Sequence, residues 1–202
     1  MRKTILGAVI LFSLGILSAG VPPSRETFTF QFRQDGNRYL FHGDFLVDTD
    51  NKMAWDVLTD YDHVSCFVAN LNARVVKRDG DEVLVDQTVG GGFLFIRQEV
   101  RGLLKIREKP YQTISLEEVT KKQFDCYQGL WSLAPAAPEA GMKVAYQLEA
   151  ERNGSTPEFV TAGLFRQAAE DMVIGMKKEM DRRETVKRMN SLKVENPKKN
   201  PI

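Results

Sequence analysis

The side chains of this chain that could carry catalysis are few, and their spacing matches no catalytic pattern. His42 and His63 are the only histidines, and no serine nucleophile motif, Cys–His pair or metal-ligand cluster occurs. His63 follows Asp60 by three residues at an expected helix start, where a surface hydrogen bond explains it better than proton transfer. Glycines 90–92 stand between two expected strands, which indicates a bend and not a phosphate-binding loop. The sequence therefore predicts no catalytic residue, no metal site and no cofactor, and favours a protein that is not an enzyme.

The two cysteines, Cys66 and Cys126, leave two interpretations open. In an oxidising compartment they could form a disulfide, provided that their Cα atoms lie within about 7 Å of each other. The alternative is that both are small buried hydrophobic residues of the core. The sequence favours this second interpretation, because spacing alone gives no reason to pair them.

A second group of residues could hold a ligand instead of transforming one. Side chains alternate between the two faces of a strand, and here the alternation predicts one mainly apolar inward face. The candidate ligand-binding residues on that face and on the final helix are Val85, Gln87, Ile96, Gln98, Val100, Leu116, Tyr127, Trp131, Tyr146, Phe165, Ala169, Met172 and Met176. Such a lining suits a lipid, an isoprenoid or another largely apolar molecule, with the few polar groups fixing its orientation. The same residues could instead fill a solid core.

The elements that position these residues are expected to be a series of strands followed by one long helix. Asp48, Thr49 and Asp50 offer N-cap oxygens for a first short helix, Asp60 is expected to cap a second one, and Asp79-Gly80 marks a hairpin turn. Ser155 and Glu158 form a capping box before the final helix. The expected strands are 26–32, 38–47, 73–78, 82–89, 93–107, 113–119, 124–133 and 142–151. Consecutive strands joined by turns indicate an antiparallel sheet, so the predicted class is α+β, with the two short helices closing one end of the curved sheet.

The first twenty residues are expected to be a secretory signal peptide. A basic start is followed by the uncharged stretch Thr4–Leu17, which is too short to cross a bilayer comfortably, and small residues precede a cleavage position after Gly20. An uncleaved membrane anchor is the alternative. Without residues 1–20 the formal net charge falls from +1 to −1, which gives no electrostatic reason to bind nucleic acid. The expected organisation is a signal peptide (1–20), one domain (21–189) with an extra N-terminal strand at about 26–33, and a disordered tail (190–202).

The stretch AWDVLTDYDHVSCFVANL, residues 54–71, resembles the W-x-x-L-x-D-Y-x-x-x-x-x-F signature of the START-like SRPBCC superfamily. Trp55, Leu58, Asp60, Tyr61 and Phe67 carry the match. The segments GLWSL (129–133) and GMKV (141–144) are similar to the closing hairpin of that superfamily. The nearest branch is the polyketide cyclase/dehydrase and lipid-transport proteins, which include coenzyme-Q-binding relatives. The resemblance implies a helix-grip fold, in which a curved antiparallel sheet wraps around a long C-terminal helix and leaves an apolar pocket between them.

The function expected from the residues and the resemblance together is that of an exported, periplasmic carrier. It would hold a lipid, isoprenoid or quinone-like molecule in an apolar cavity between the sheet and the last helix, and its expected partners include a membrane by transient contact. Two alternatives stay open. One is a polyketide cyclase/dehydratase-like enzyme that uses Gln98 and Tyr146 to orient its substrate, and the other is a protein-interaction module with a filled core.

Overall fold

One antiparallel sheet of eight strands and one long helix make up most of the molecule. The computed structural model describes residues 28–93, 96–136, 141–156 and 161–195, and within these ranges the side chains of 91–93, 96–98 and 193–195 are not described. The predicted signal peptide (1–20) and residues 196–202 of the predicted tail therefore lie outside the described residues. The strands are β1 (Phe28–Asp35), β2 (Arg38–Val47), β3 (Leu71–Asp79), β4 (Glu82–Phe93), β5 (Ile96–Lys109), β6 (Thr113–Glu118), β7 (Phe124–Pro135) and β8 (Met142–Arg152).

The strand order in the sheet is β1-β2-β8-β7-β6-β5-β4-β3. Because β2 and β3 lie far apart in this order, the chain between them has to cross one end of the sheet. It does so with helix α1 (Asn51–Leu58) and a 3-10 helix (Tyr61–Cys66), and the long helix α2 (Ala162–Glu195) follows β8. The predicted α+β helix-grip architecture, including the two short helices after the first core strand, is confirmed.

Alternation in the strands creates the inner face against which α2 packs. Along β2 and β8 the buried residues are every second one, among them Phe41, Phe45, Val144 and Tyr146. On α2, a stripe at helical spacing is buried against this face and consists of Phe165, Ala169, Val173, Met176 and Met180. The core therefore lies between the concave face of the sheet and one side of α2.

The two short helices are started by different means. Asp50 accepts a hydrogen bond from the Met53 backbone N–H at 2.7 Å and is therefore the N-cap of α1 among the three candidates. Asp60 makes no such capping bond to the 3-10 helix, so that part of the prediction is wrong. Its carboxylate instead accepts hydrogen bonds from His63 Nδ1 at 2.6 Å and from Arg183 Nη2 at 2.5 Å. Asp60 therefore ties the helix break to α2.

The C-terminal half of α2 is fastened to the closed end of the sheet by a row of ion pairs. Arg183 bridges Asp60 and the buried Glu179, with a distance of 2.7 Å between Arg183 Nε and Glu179 Oε1. One turn further on, Lys187 Nζ lies 2.7 Å from Asp50 Oδ2. Although burial acts in the opposite direction, Arg183 and His63 lower the pKa of Asp60 below its ordinary value. The carboxylates therefore stay ionised and hold this half of the helix in place.

Three boundary predictions are corrected by the structure. The glycines 90–92 are not a bend, because β4 runs through them and pairs with β5, while Gly90 N–H also donates to Asn70 O at 2.7 Å. Helix α2 begins at Ala162, where Thr161 accepts the Leu164 N–H at 3.3 Å, and not at the predicted capping box. Ser155 instead belongs to a turn closed on Asn153, and Glu158 lies outside the described residues. At its other end α2 continues to Glu195, six residues into the predicted tail.

Candidate functional site

A cavity of about 190 Å³ lies between the inner face of the sheet and the N-terminal half of α2. Strands β4, β5, β7 and β8 form its floor and walls, and the segment 68–71 after the 3-10 helix closes one side. Most of the lining is apolar, and it includes Val68, Leu71, Val89, Val100, Leu104, Phe124, Leu148, Leu164, Phe165, Ala168, Ala169 and Met172. The arrangement suits an apolar guest, because burying apolar surface is favourable at about 25 cal/mol per Å².

The remaining half of the groove, toward α1, is filled with side chains. Trp131 stacks on Tyr146 with ring centroids 4.2 Å apart and an interplanar angle of 18°. Val85 and Met176 are buried in the same core cluster. Tyr146 also lines the cavity, so its ring stands at the boundary between the filled half and the hollow half.

Three uncharged polar side chains face the cavity from the sheet: Gln87 on β4, Tyr127 on β7 and Tyr146 on β8. Burial raises the pKa of Tyr127 to about 12, and an interaction with the Gln87 side chain opposes part of that rise. Burial, followed by the neighbouring Tyr127, raises the pKa of Tyr146 above its ordinary value. Both phenols therefore keep their protons at neutral pH and offer neutral hydrogen-bonding groups to a guest.

Charged side chains occupy the rim of the cavity. Glu118 accepts hydrogen bonds from the backbone N–H groups of Thr120, at 2.8 Å, and Lys121, at 2.7 Å. Burial opposes the effect of these bonds, yet together with the Thr120 hydroxyl they lower the pKa of Glu118. On the helix side, burial and the neighbouring Glu170 raise the pKa of the half-buried Asp171. The rim thus carries two carboxylates whose pKa values are shifted in opposite directions.

Seven of the predicted ligand-binding residues line the cavity: Gln87, Val100, Tyr127, Tyr146, Phe165, Ala169 and Met172. Four others do not line it. Val85, Trp131 and Met176 are core residues of the filled half, and Leu116 packs on the sheet beside Gly129 outside the cavity. The side chains of Ile96 and Gln98 lie outside the described residues. Alternation identified the inward face correctly for these positions, but it carries no information on which part of that face is hollow.

Sequence reasoning missed several residues of the site. Leu104, Leu148 and Glu118 line the cavity but are not among the ligand-binding residues that the sequence predicts. The alternation of β6 could have found Glu118, because it shares a strand face with Ile114 and Leu116. Segment 68–71 has no periodic pattern, and nothing in the sequence indicates that it forms a wall.

The histidines and cysteines lie apart from the cavity lining. The predicted surface hydrogen bond of His63 is present, to Asp60, and His42 Nε2 lies 3.5 Å from Asp44 Oδ2. Cys66 and Cys126 are free thiols, but the expectation that both are buried is wrong, since Cys66 is exposed and Cys126 is half-buried. The described part of the chain contains no group of three or more His, Cys, Asp or Glu side chains arranged to hold a metal ion. None of its helices has the length and apolar character to span a membrane.

A protein family described as polyketide cyclase / dehydrase and lipid transport matches residues 50–177, which is more than half of the chain. No curated protein sequence matches.

Several solved structures share the fold. A STAR-related lipid transfer protein from Xanthomonas axonopodis is 15% identical with a TM-score of 0.57, over 75% of this chain and 98% of that one. The Zhui aromatase/cyclase from Streptomyces sp. R1128 is 10% identical with a TM-score of 0.59, over 72% and 95%. The lipid transfer and protein localization domain of human StarD13 is 12% identical with a TM-score of 0.55, over 78% and 86%. At such identities the likeness concerns the fold alone.

Proposed function

Because this chain belongs to the polyketide cyclase / dehydrase and lipid transport family, we propose that it is an exported protein that binds and carries a hydrophobic small molecule. The observation that carries the proposal is the apolar cavity between the sheet and the N-terminal half of α2. Inward-facing residues of the strands and apolar residues of the helix line it. An interaction module with a filled core would not be expected to contain such a cavity. The cavity therefore supports a binding role over that alternative.

The size of the cavity limits how much of a guest it encloses. Ligand pockets for drug-sized molecules usually measure about 300–1,000 Å³, and this one measures about 190 Å³. A compact guest therefore fits inside it. A long acyl or isoprenoid chain would place only one end inside and would extend past the rim.

Blocking the cavity is expected to abolish binding. Met172 lines the cavity and is half-buried, so Met172→Trp places an indole in the space that a guest needs. We expect this variant to bind the uncharged fluorescent probe N-phenyl-1-naphthylamine at least about tenfold more weakly than the unaltered protein, since overpacking costs about 1–3 kcal/mol. The measurement is a fluorescence titration at constant protein concentration.

Met189→Trp is the matched control, because Met189 lies on the same helix but is exposed and outside the cavity lining. It should bind the probe as the unaltered protein does. Equal losses in both variants, or no loss in Met172→Trp, would show that the probe binds elsewhere. Native mass spectrometry of gently purified protein then identifies a guest that co-purifies.

The cyclase alternative retains one specific observation in its favour, the raised pKa of Asp171 at the rim. A raised pKa moves a carboxyl group toward the range in which general acids and bases work at neutral pH. The two tyrosines of the floor hold their protons too firmly to act as bases there. Turnover of a polyketide-like substrate that disappears in both Asp171→Asn and Tyr146→Phe would support an enzyme over a carrier.

Export rests on the predicted signal peptide. We expect protein produced from the full sequence in a Gram-negative host to accumulate in the periplasm with Val21 as its first residue. The intact mass of the periplasmic fraction measures this directly. Full-length protein that starts at Met1 and stays in the membrane fraction would support the uncleaved anchor instead.

A further inference from the structure

We propose that the preferred guest is a compact ring molecule with an uncharged oxygen group, an alcohol, phenol or carbonyl, that hydrogen-bonds to the floor of the cavity formed by Gln87, Tyr127 and Tyr146. This inference rests on the proposed binding function and narrows it to one chemical class. It makes a carboxylate or a phosphate the wrong head group for this site.

The hydrogen-bonding groups of the floor are the first argument. Gln87, Tyr127 and Tyr146 line the same part of the cavity, and Gln87 is near enough to Tyr127 to lower its pKa against the effect of burial, while among the described residues no hydrogen bond to the Tyr146 hydroxyl is found. Tyrosine in a buried position usually finds a partner for its hydroxyl. A guest oxygen that both donates and accepts would satisfy this hydroxyl and join the Gln87–Tyr127 pair.

The distribution of charge is the second argument. Arg101 borders the cavity, but its guanidinium is bound by Asp86 and points to the exposed face of the sheet. Lys122 is exposed at the rim, where Glu118 and Asp171 are also found. Among the described residues no cationic group reaches the floor. An anionic head group would therefore lose its hydration there without gaining a counter-charge, which disfavours its binding.

The dimensions are the third argument. An apolar protein cavity of about 150 Å³ is large enough for benzene, and this cavity measures about 190 Å³. The flat walls contributed by Phe124, Phe165 and Tyr127 suit an aromatic or otherwise planar ring, since aromatic pairs prefer stacked or edge-to-face contacts. A guest of one or two rings fits these limits with its oxygen on the floor.

Three probes of nearly equal shape separate the effect of a hydrogen-bonding hydroxyl from that of a negative charge: 2-naphthol, naphthalene and 2-naphthoate. Each is measured by its displacement of N-phenyl-1-naphthylamine at pH 7. We expect 2-naphthol to bind about tenfold more tightly than naphthalene, because one net hydrogen bond contributes about that factor. We expect 2-naphthoate to bind more weakly than naphthalene, in spite of its two oxygens, because the floor offers it no positive charge.

The double variant Tyr127→Phe/Tyr146→Phe removes both hydroxyls and keeps both rings. It should lose the tenfold preference for 2-naphthol over naphthalene, whatever its affinity for naphthalene itself. Tyr111→Phe is the control, because Tyr111 is exposed and outside the cavity lining, and it should keep that preference.

Equal binding of 2-naphthol and naphthalene by the unaltered protein would overturn this inference and leave the proposed function standing. Preferred binding of 2-naphthoate, or a preference for 2-naphthol that survives in the double variant, would overturn it as well. If the protein binds none of the three probes and also fails to bind N-phenyl-1-naphthylamine, the proposed function itself is wrong.

Discussion

Gly175→Ala is expected to lower the free energy of unfolding by about 3 kcal/mol, the upper part of the range for overpacking a core. Gly175 lies in α2 where the helix crosses the end of the 3-10 helix segment. A Cβ atom added there would overlap the Phe67 carbonyl oxygen and would stand 2.9 Å from Val68 Cγ2. The first of these neighbours is backbone and cannot rotate away, so either the helix or the segment 67–68 has to move.

The surroundings of Gly175 leave little room for that movement. Val173 and Met176 on the same helix are buried in the core cluster, and Arg183 is held to Asp60 two turns further on. Shifting the helix outward would therefore loosen core contacts and stretch an ion pair at once. This is why the cost of one methyl group is expected to be large.

Gly163→Ala is the matched control, because Gly163 is also in α2 but a Cβ atom there would meet only Thr161 Oγ1, at 3.9 Å. Its stability should be unchanged or slightly higher, since alanine favours a helix over glycine by up to about 1 kcal/mol. Urea unfolding followed by circular dichroism measures both variants. Similar stabilities of the two variants would mean that α2 does not pack as closely on Phe67 as described.

The close approach at Gly175 also determines where the groove becomes hollow. Val68 packs beside Gly175 and also lines the cavity. The contact that holds α2 against segment 67–68 therefore also forms one wall of the cavity. Toward the C-terminus of α2 the groove is filled by residues such as Trp131 and Met176. Toward the N-terminus it is open enough to leave about 190 Å³.

This geometry explains which features could be predicted from the sequence. Strand faces depend on alternation and helix faces on a period of 3.6 residues, and both can be read locally. The Asp50 cap and the Asp79-Gly80 turn, where Gly80 has φ of +61°, are local features in the same sense. The fold class follows from such elements and their order.

The position of the cavity depends instead on the distance between α2 and the sheet, which is set by contacts distant in sequence. Nothing near Gly175 in the chain indicates that it faces the Phe67 backbone. For the same reason Trp131 and Met172, both inward-facing, could not be sorted into core and cavity lining beforehand. The strand through Gly90–Gly92 likewise depends on partners in β5 that composition does not reveal.

Trp131→Ala is expected to lower the free energy of unfolding by about 3–5 kcal/mol, as large-to-small changes of buried aromatic residues do. Trp131 is 4% exposed and stacks on Tyr146. On the next strand it stands opposite Ile114, which is 2% exposed, so the hole left behind is surrounded by strands that cannot close over it. Val119→Ala, at an exposed position, should change the stability by no more than about 0.5 kcal/mol.

Trp131→Phe then distinguishes a core residue from a ligand-binding one. It keeps a ring against Tyr146 and should lose less stability than Trp131→Ala. Because Trp131 is absent from the cavity lining, the phenylalanine variant should bind N-phenyl-1-naphthylamine as the unaltered protein does. A variant with nearly normal stability but weakened probe binding would restore the assignment made from the sequence, in which Trp131 touches the guest. It would also move the boundary between the filled and hollow halves of the groove beyond Tyr146.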